Sequence, residues 1–363
     1  MTAATGEPDL GIYVQRVLLA LAIGAVGGAI FHQLDMPLAW MIGAMVATTF
    51  AALGGAKVAM PIPLRSFMVA VLGVMLGSAF TPNILGRVSE WGVTLAALFL
   101  YSVTVGSICF VLFLKIGRCD RVTAYFAAAP GGLTEMTVVG QALGGDERVI
   151  SLVHTLRVLL IVLTIPLWFR ALDGYDAAKR TVSDISILAT PLSELALLAV
   201  IGLAGALAAR LIRLPAPYLT GPIFSSAAAH LTGVSEFRPP HELVAIAQVV
   251  VGAGIGCRFA GLHVRKVLHT LGLATCATAI MLGGTVVFSL VLHGTVDIPT
   301  PALVLAFAPG GLAEMSLVAL ALGADAAFVS THHIMRIVFV VVIAPWVFQM
   351  MERRRAARGS VAS

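Results

Sequence analysis

Charge is scarce in this chain. Only 11% of its 363 residues are Asp, Glu, Lys or Arg, against about 25% in an ordinary soluble domain. So few charges cannot clothe a water-facing surface of normal size. Cysteine is nearly absent: Cys109, Cys119, Cys257 and Cys276 form no Cys-x-x-Cys pair, which excludes a disulfide framework and gives no zinc spacing. No phosphate-binding Walker loop, no Gly-x-Ser-x-Gly and no dinucleotide fingerprint occurs. With no nucleophile–base pair legible, catalytic residues, metal ligands and cofactors are all expected to be none. A basic recognition element is missing too. The net charge of +5 and pI near 9.3 therefore do not imply a nucleic-acid partner, because cations gathered on one membrane face produce the same balance.

What is present is hydrocarbon. Hydrophobic residues make up 59% of the chain and the mean hydropathy is +0.99. Residues 91–114 run without a charge, and about 20 such residues span a bilayer. Similar runs occur near 17–31, 38–53, 66–80, 195–209, 217–233, 243–257, 270–292 and 337–351. Glu7 and Asp9 precede the first Arg, a poor match to a cleaved signal peptide, so the first run is expected to be a permanent span.

The chain also repeats itself. Ala129-Pro130-Gly131-Gly132-Leu133-Thr134-Glu135-Met136 returns 179 positions later as Ala308-Pro309-Gly310-Gly311-Leu312-Ala313-Glu314-Met315. Without a gap, Asp146, Ser151, His154, Arg157 and Pro166 meet Asp325, Ser330, His333, Arg336 and Pro345, and 17 of the 38 positions from 129 to 166 match. This divides the chain into an N-terminal tail (1–15), a first membrane repeat (16–170), a linker (171–184), a second repeat (185–350) and a basic cytoplasmic tail (351–363).

Each half reads as four apolar runs, a Pro-Gly-Gly segment (about 123–143 and 302–322) and a last apolar run. If the segments cross the membrane, each half has six spans and the halves are parallel. If they dip and return, each half has five spans and the second half is inverted. With the N-terminus inside, the inverted arrangement places 16 Lys and Arg inside and 5 outside, the parallel one 14 and 7. The bias favours inversion. The expected fold is an all-α polytopic membrane protein of two inverted homologous repeats. It has about ten transmembrane helices and two broken or re-entrant segments. Both termini are expected in the cytoplasm and the location is the bacterial inner (plasma) membrane.

The Pro-Gly-Gly breaks concentrate the chemistry. Proline removes a donor and the glycines permit positive φ or close backbone approach. A helix restarting after them points free amides and a positive dipole end inward, which suits an anion. Glu135 and Glu314 follow three residues later among apolar neighbours, where a carboxylate must pair, protonate or face water. His154 and Arg157 share a helix face, as do His333 and Arg336, and His154 lies about 10 Å into its helix. The functional reading takes Pro130, Gly131, Gly132, Thr134, Arg157, Pro309, Gly310, Gly311 and Arg336 as substrate-binding. It takes Glu135, Glu314, His154 and His333 as proton-coupling. The bland alternative is two buried Glu–Arg salt bridges that lock the halves together. Adjacent His332 and His333 point to different faces and lack a third metal ligand.

On the two Pro-Gly-Gly-Leu-x-Glu-Met motifs and the His-x-x-Arg that follows, the chain resembles the AbrB-type bacterial membrane family over about 16–350. Members carry a duplicated domain and are labelled regulators of aidB expression or candidate ammonia monooxygenases. The small soluble DNA-binding regulator of the same name is a different protein. The repeat plan is also similar to that of bile-acid symporters and cation–proton antiporters, in which the broken helices cross fully. The expectation is a secondary transporter of a small anionic solute, proton-coupled, with the solute at the repeat interface. Its expected partners are membrane lipid, the solute and a second copy in a homodimer. The alternative that the family label implies is a membrane-embedded regulator of gene expression.

Overall fold

The computed structural model describes residues 10–82, 90–172, 185–262 and 264–361. Most of the expected linker and the first nine residues of the tail lie outside the described residues. Among those described there are fourteen α-helices and no strand. The first half contains α1 (Leu10–Gln33), α2 (Ala39–Leu53), α3 (Ile62–Gly77), α4 (Trp91–Lys115), α5 (Arg121–Ala128), α6 (Leu133–Ala142) and α7 (Glu147–Leu172). The second contains α8 (Leu192–Leu211), α9 (Pro217–Leu231), α10 (His241–Gly256), α11 (Val264–His293), α12 (Thr300–Phe307), α13 (Leu312–Ala321) and α14 (Ala326–Val361). The sequence repeat thus meets the same order of seven helices twice.

Seven helices, α1, α4, α7, α8, α10, α11 and α14, are long and apolar enough to cross a membrane. The chain is a multi-pass membrane protein. The expected count of about ten needs α2, α3 and α9 as well, which have 15, 16 and 15 residues. At 1.5 Å per residue these reach only about 23 Å, short of the roughly 30 Å hydrocarbon layer. Outward faces are apolar: Phe50, Ile62, Leu192 and Leu211 are 72%, 80%, 82% and 82% exposed, which suits lipid and not water.

Two compact units form, and they cut across the repeats. The first takes α1–α3, α8–α10, the end of α7, the start of α11 as far as Lys266, and Leu320–Gly323; the second takes α4–α6, α7 as far as Val162, α11 from Val267, α12, α13 as far as Ala319, and α14. In the first unit glycine sets helix spacing. A Cβ on Gly43 would strike the Gly27 carbonyl, and one on Gly221 the Gly205 carbonyl. The backbones of α1 and α2, and of α8 and α9, therefore touch. Hydrocarbon offers no hydrophobic drive between helices, so such close contact supplies the attraction. Gly73 of α3 would meet the Leu219 carbonyl at 2.8 Å, while Gly252 of α10 would strike that of Met41. Each half thus packs on the other. Left-handed residues precede both short helices: Asp35 (φ 51) and Leu38 (φ 50) before α2, Arg213 (φ 56) and Ala216 (φ 49) before α9.

The second unit is built on two hairpins. α6 does not continue past α5; it returns beside it. A Cβ on Gly140 would lie 3.2 Å from that of Phe126, and the Asp146 amide donates to Thr123 Oγ1 at 2.7 Å. The segment therefore differs from the fully crossing helices of the symporter and antiporter plan. α7 then runs parallel to α5, since His154 reaches Phe126 and Arg157 reaches Ala129. α14 follows α12 in the same sense, through His333 to Leu305 and Arg336 to Ala308. Yet α14 runs opposite to α5: Glu352 meets Arg121, the Ala344 carbonyl meets Tyr125, and Val340 meets Gly131. The repeat-equivalent helices α7 and α14 accordingly point in opposite directions.

Close packing at Gly43 gives a direct test. Gly43→Ala should lower the thermal midpoint in detergent, by about 1–3 kcal/mol of overpacking. Gly283→Ala, where a Cβ meets nothing within 4 Å, should be neutral or raise stability by about 0.5–1 kcal/mol. Equal midpoints for the two variants would refute the spacing role.

Candidate functional site

Each hairpin tip is a chain break at mid-depth. α5 ends at Ala129 in extended geometry (φ −64, ψ 128) and α6 restarts after Gly132 (φ −66, ψ 138). A helix end leaves carbonyls without partners, and in hydrocarbon each unsatisfied group costs several kcal/mol. Arg157 meets this need. Its Nη1 donates to the Ala129 carbonyl and its Nη2 to that of Gly131, both at 3.0 Å. Arg336 does the same in the second half, to Ala308 at 2.7 Å and Gly310 at 3.0 Å. A cation at a helix C-terminus also matches the dipole. Both arginines stand ten residues into their helices, about 15 Å, which is half the hydrocarbon thickness.

The histidines serve the same ends. His154 Nε2 donates to the Phe126 carbonyl and His333 Nε2 to that of Leu305, each at 2.9 Å. A carbonyl only accepts, so Nε2 carries the proton and Nδ1 is a lone pair. Here the halves differ. His333 Nδ1 accepts from Arg336 Nη2 at 2.9 Å, whereas His154 Nδ1 is buried without a protein partner. The Nε atoms of Arg157 and Arg336 are likewise buried and unpartnered.

The carboxylates do not pair with the arginines. Glu135 folds back over Gly132, and Glu314 over Gly311, so that a Cβ on either glycine would strike the carboxylate. The second glycine of each motif thus makes room for the acid, and none of the four motif glycines uses positive φ. Each Glu is the third residue of its half-helix and lies over an N-terminal end with unpartnered amides, a favourable place for negative charge. Glu135 is half-buried and Glu314 only 7% exposed. The bland salt-bridge reading is replaced by two separate contacts, arginine on carbonyls and carboxylate on helix start.

The first glycine has a different neighbour. A Cβ on Gly131 would come 3.2 Å from Met136 Sδ and 2.7 Å from Val340 Cγ1; one on Gly310 would come 2.9 Å from Met315 Sδ. Val340 sits one turn beyond Arg336 on α14, so one helix holds both tips within about 6 Å along its axis. Pro130 lines a cavity of about 170 Å³ with Gly106, Tyr125 and Val340, while Thr134 is exposed on α6. Pro309 is buried at the second tip. His332 turns elsewhere, to the Thr94 hydroxyl and the Phe328 carbonyl. No cluster of metal-binding side chains occurs among the described residues.

One contributor escapes sequence reasoning. Tyr101 packs edge-on to Phe307 and donates to the Met281 carbonyl; a lone Tyr in an apolar run carries no signal. Met136 and Met315 were visible as the last letter of the repeated motif. Asp146 and Asp325 were visible as repeats, and their carboxylates accept from Val149 and Phe328 amides at the starts of α7 and α14.

The chain is similar to known proteins over most of its length. The family model described as transition state regulatory protein AbrB matches residues 40–352. The uncharacterized protein YhjN of Bacillus subtilis (strain 168) is 27% identical, over 91% of this chain and 92% of its own length. A candidate regulator named AbrB, from Escherichia coli (strain K12), is 24% identical over 90% and 92%.

If the guanidinium groups hold the tips, Arg157→Met and Arg336→Met should each lose about 2–4 kcal/mol, from two buried carbonyls stranded per site. Arg336 should lose more, because His333 loses its donor as well. Thermal midpoints of the purified variants report both effects. Wild-type midpoints in either variant would mean that the arginine is not needed by the tip.

Proposed function

The chain belongs to the AbrB family, and we propose that it is a secondary transporter whose solute site lies at the two hairpin tips. The carrying observation is that each tip presents a half-helix N-terminus at mid-depth with a carboxylate folded over it. Discontinuous helices whose N-terminal ends face a midplane site are the usual means by which transporters hold anionic solutes. The opposed directions of α7 and α14 support inverted repeats, with the tips approaching from opposite membrane faces. The cation count supports cytoplasmic termini and an inner-membrane location.

The geometry suggests how a proton and an anion are coupled. A charged Glu135 or Glu314 competes with an anionic solute for the same helix end. A protonated one does not. Solute binding therefore favours the neutral acid, and the two move together. Arg157 and Arg336, whose terminal nitrogens are engaged, offer the solute only their Nε donors. Their main role in this reading is to hold the tips. His154 and His333, bonded to carbonyls, act as braces more than as proton carriers. No catalytic step or cofactor enters. Lipid surrounds the apolar faces.

The second reading is a membrane-embedded regulator. The family's description supports it, as do Arg353, Arg354 and Arg355, which are exposed on α14 beyond its apolar stretch.

Proteoliposomes separate the two. An inward proton gradient should accelerate uptake of a small carboxylate or phosphate from a tested panel. Glu135→Gln with Glu314→Gln should bind the same anion at least as tightly but lose the gradient dependence. Gradient-driven uptake that persists in this double variant would sink the coupling scheme. No uptake of any panel member, together with an expression phenotype that needs Arg353–Arg355, would favour the regulator.

A further inference from the structure

The first unit contains a second cavity, of about 520 Å³, that the transport reading does not use. It lies where α2 ends. Its walls are Arg16 of α1, Gly55, Lys57 and Val58 of the loop after α2, and Gly261 and Leu262 of the turn beyond α10. Two of the lining side chains are cations and none is acidic. Arg16 Nε is buried with no protein partner, and its carbonyl accepts the Ala59 amide at 3.4 Å, which ties the loop to α1. Lys57 is exposed at the rim.

A donor buried without a partner costs about 1–3 kcal/mol, and a cavity walled by two cations and no acid favours negative charge. A bound anion satisfies both. A ligand that offers several acceptor oxygens, to the Arg16 Nε donor and to a lysine point charge, has the chemistry of phosphate. The surroundings indicate where that phosphate comes from. Leu10, Val14 and Leu18 of α1 are 76%, 46% and 60% exposed, so α1 presents hydrocarbon on either side of Arg16. Arg16 stands six residues after Leu10, about 9 Å along the helix. It directly precedes the charge-free run 17–31 of α1, so it stands at the membrane end of that span, at the level of the headgroups.

We propose that this cavity binds a phosphate group, held by Arg16 and Lys57, and that its source is the headgroup of an anionic lipid. The volume is many times that of one water, about 30 Å³, and admits a glycerophosphate with its first ester carbons. The site is independent of the hairpin tips and of what they carry.

The test uses the full-length protein purified in detergent. Thermal stabilisation is titrated with dioctanoyl-phosphatidylglycerol, dioctanoyl-phosphatidylcholine and inorganic phosphate. Phosphatidylglycerol should bind more tightly than phosphatidylcholine. Arg16→Gln and Lys57→Gln should each weaken it about fivefold, the worth of one cation near a membrane surface. Arg16→Lys should restore most of the loss, and Arg353→Gln, in the tail, should change nothing. Inorganic phosphate binding with the same sensitivity to Arg16 and Lys57, and without a lipid preference, would support the phosphate site and name a soluble source. Unchanged phosphatidylglycerol affinity in both Gln variants, or equal affinity for the two lipids together with no response to inorganic phosphate, would overturn the proposal. Lys57 is an exposed loop residue, so its variant keeps the test valid if Arg16→Gln does not fold.

Discussion

The second unit depends on one requirement: the backbone polar groups of a helix broken in the middle of a membrane must find partners. Water cannot supply them there. The chain answers with a guanidinium from the next spanning helix, set 28 residues after the carbonyl it caps in both halves. Arginine suits the task because its planar fork reaches two carbonyls at once and stays charged. Much else follows. α7 must run parallel to α5 to bring Arg157 to Ala129. α6 must therefore return, and the short turn through Gly144 (φ 89) joins it to α7. Gly323 (φ 66) repeats that turn in the second half.

The architecture was largely legible in the sequence, because it is written in long periods. Hydrocarbon runs, a 179-residue repeat and two Pro-Gly-Gly motifs locate α4, α5 and α6 within a few residues, whereas α14 (Ala326–Val361) extends about ten residues past the apolar run 337–351 at each end. The cation bias favours the returning geometry that the Thr123–Asp146 contact displays. Partners within the site were not legible. Arg157 and Glu135 look like an ion pair from sequence because both are charged and lie in one apolar stretch. Sequence spacing cannot show that a carbonyl 28 residues back is orphaned and nearer. The glycines illustrate the same limit. A Gly-Gly pair signals freedom of φ or close approach, and only the coordinates show which. Here it is close approach, with a methionine beside the first glycine and a carboxylate over the second. The compact units were also hidden, since a repeat boundary says nothing about which helices of each half pack together.

Duplication did not leave the halves identical, and the differences fall at the polar centre. His333 takes a bond from Arg336, while His154 leaves its Nδ1 unpartnered beside Arg157. Ser330 donates to Ser316, whereas Thr137, the repeat equivalent of Ser316, donates to the Leu133 carbonyl of its own helix. Glu314 is buried, and Glu135 is half-buried. The second tip is thus tied by more side-chain bonds and the first is held more loosely. Inverted repeats with equal tips would give two equivalent states. In the proposed transport reading, unequal tips give one of the two states a lower energy.

α14 adds a mechanical element to this asymmetry. Arg336 anchors the second tip, and Val340, one turn along, fills the space above Gly131 at the first. Tyr125 and Arg121 extend the contact through the Ala344 carbonyl and Glu352. A shift of α14 along its axis displaces both hairpins at once, and a change at either tip bears on the same helix. Packed interfaces of this kind hold discrete arrangements and resist gradual deformation. In the proposed coupling scheme, the protonation state of one carboxylate would bias the tip that carries the other, without direct contact between the two acids. The glycine at 131 is what permits the seat: any side chain there would push α14 away and separate the tips.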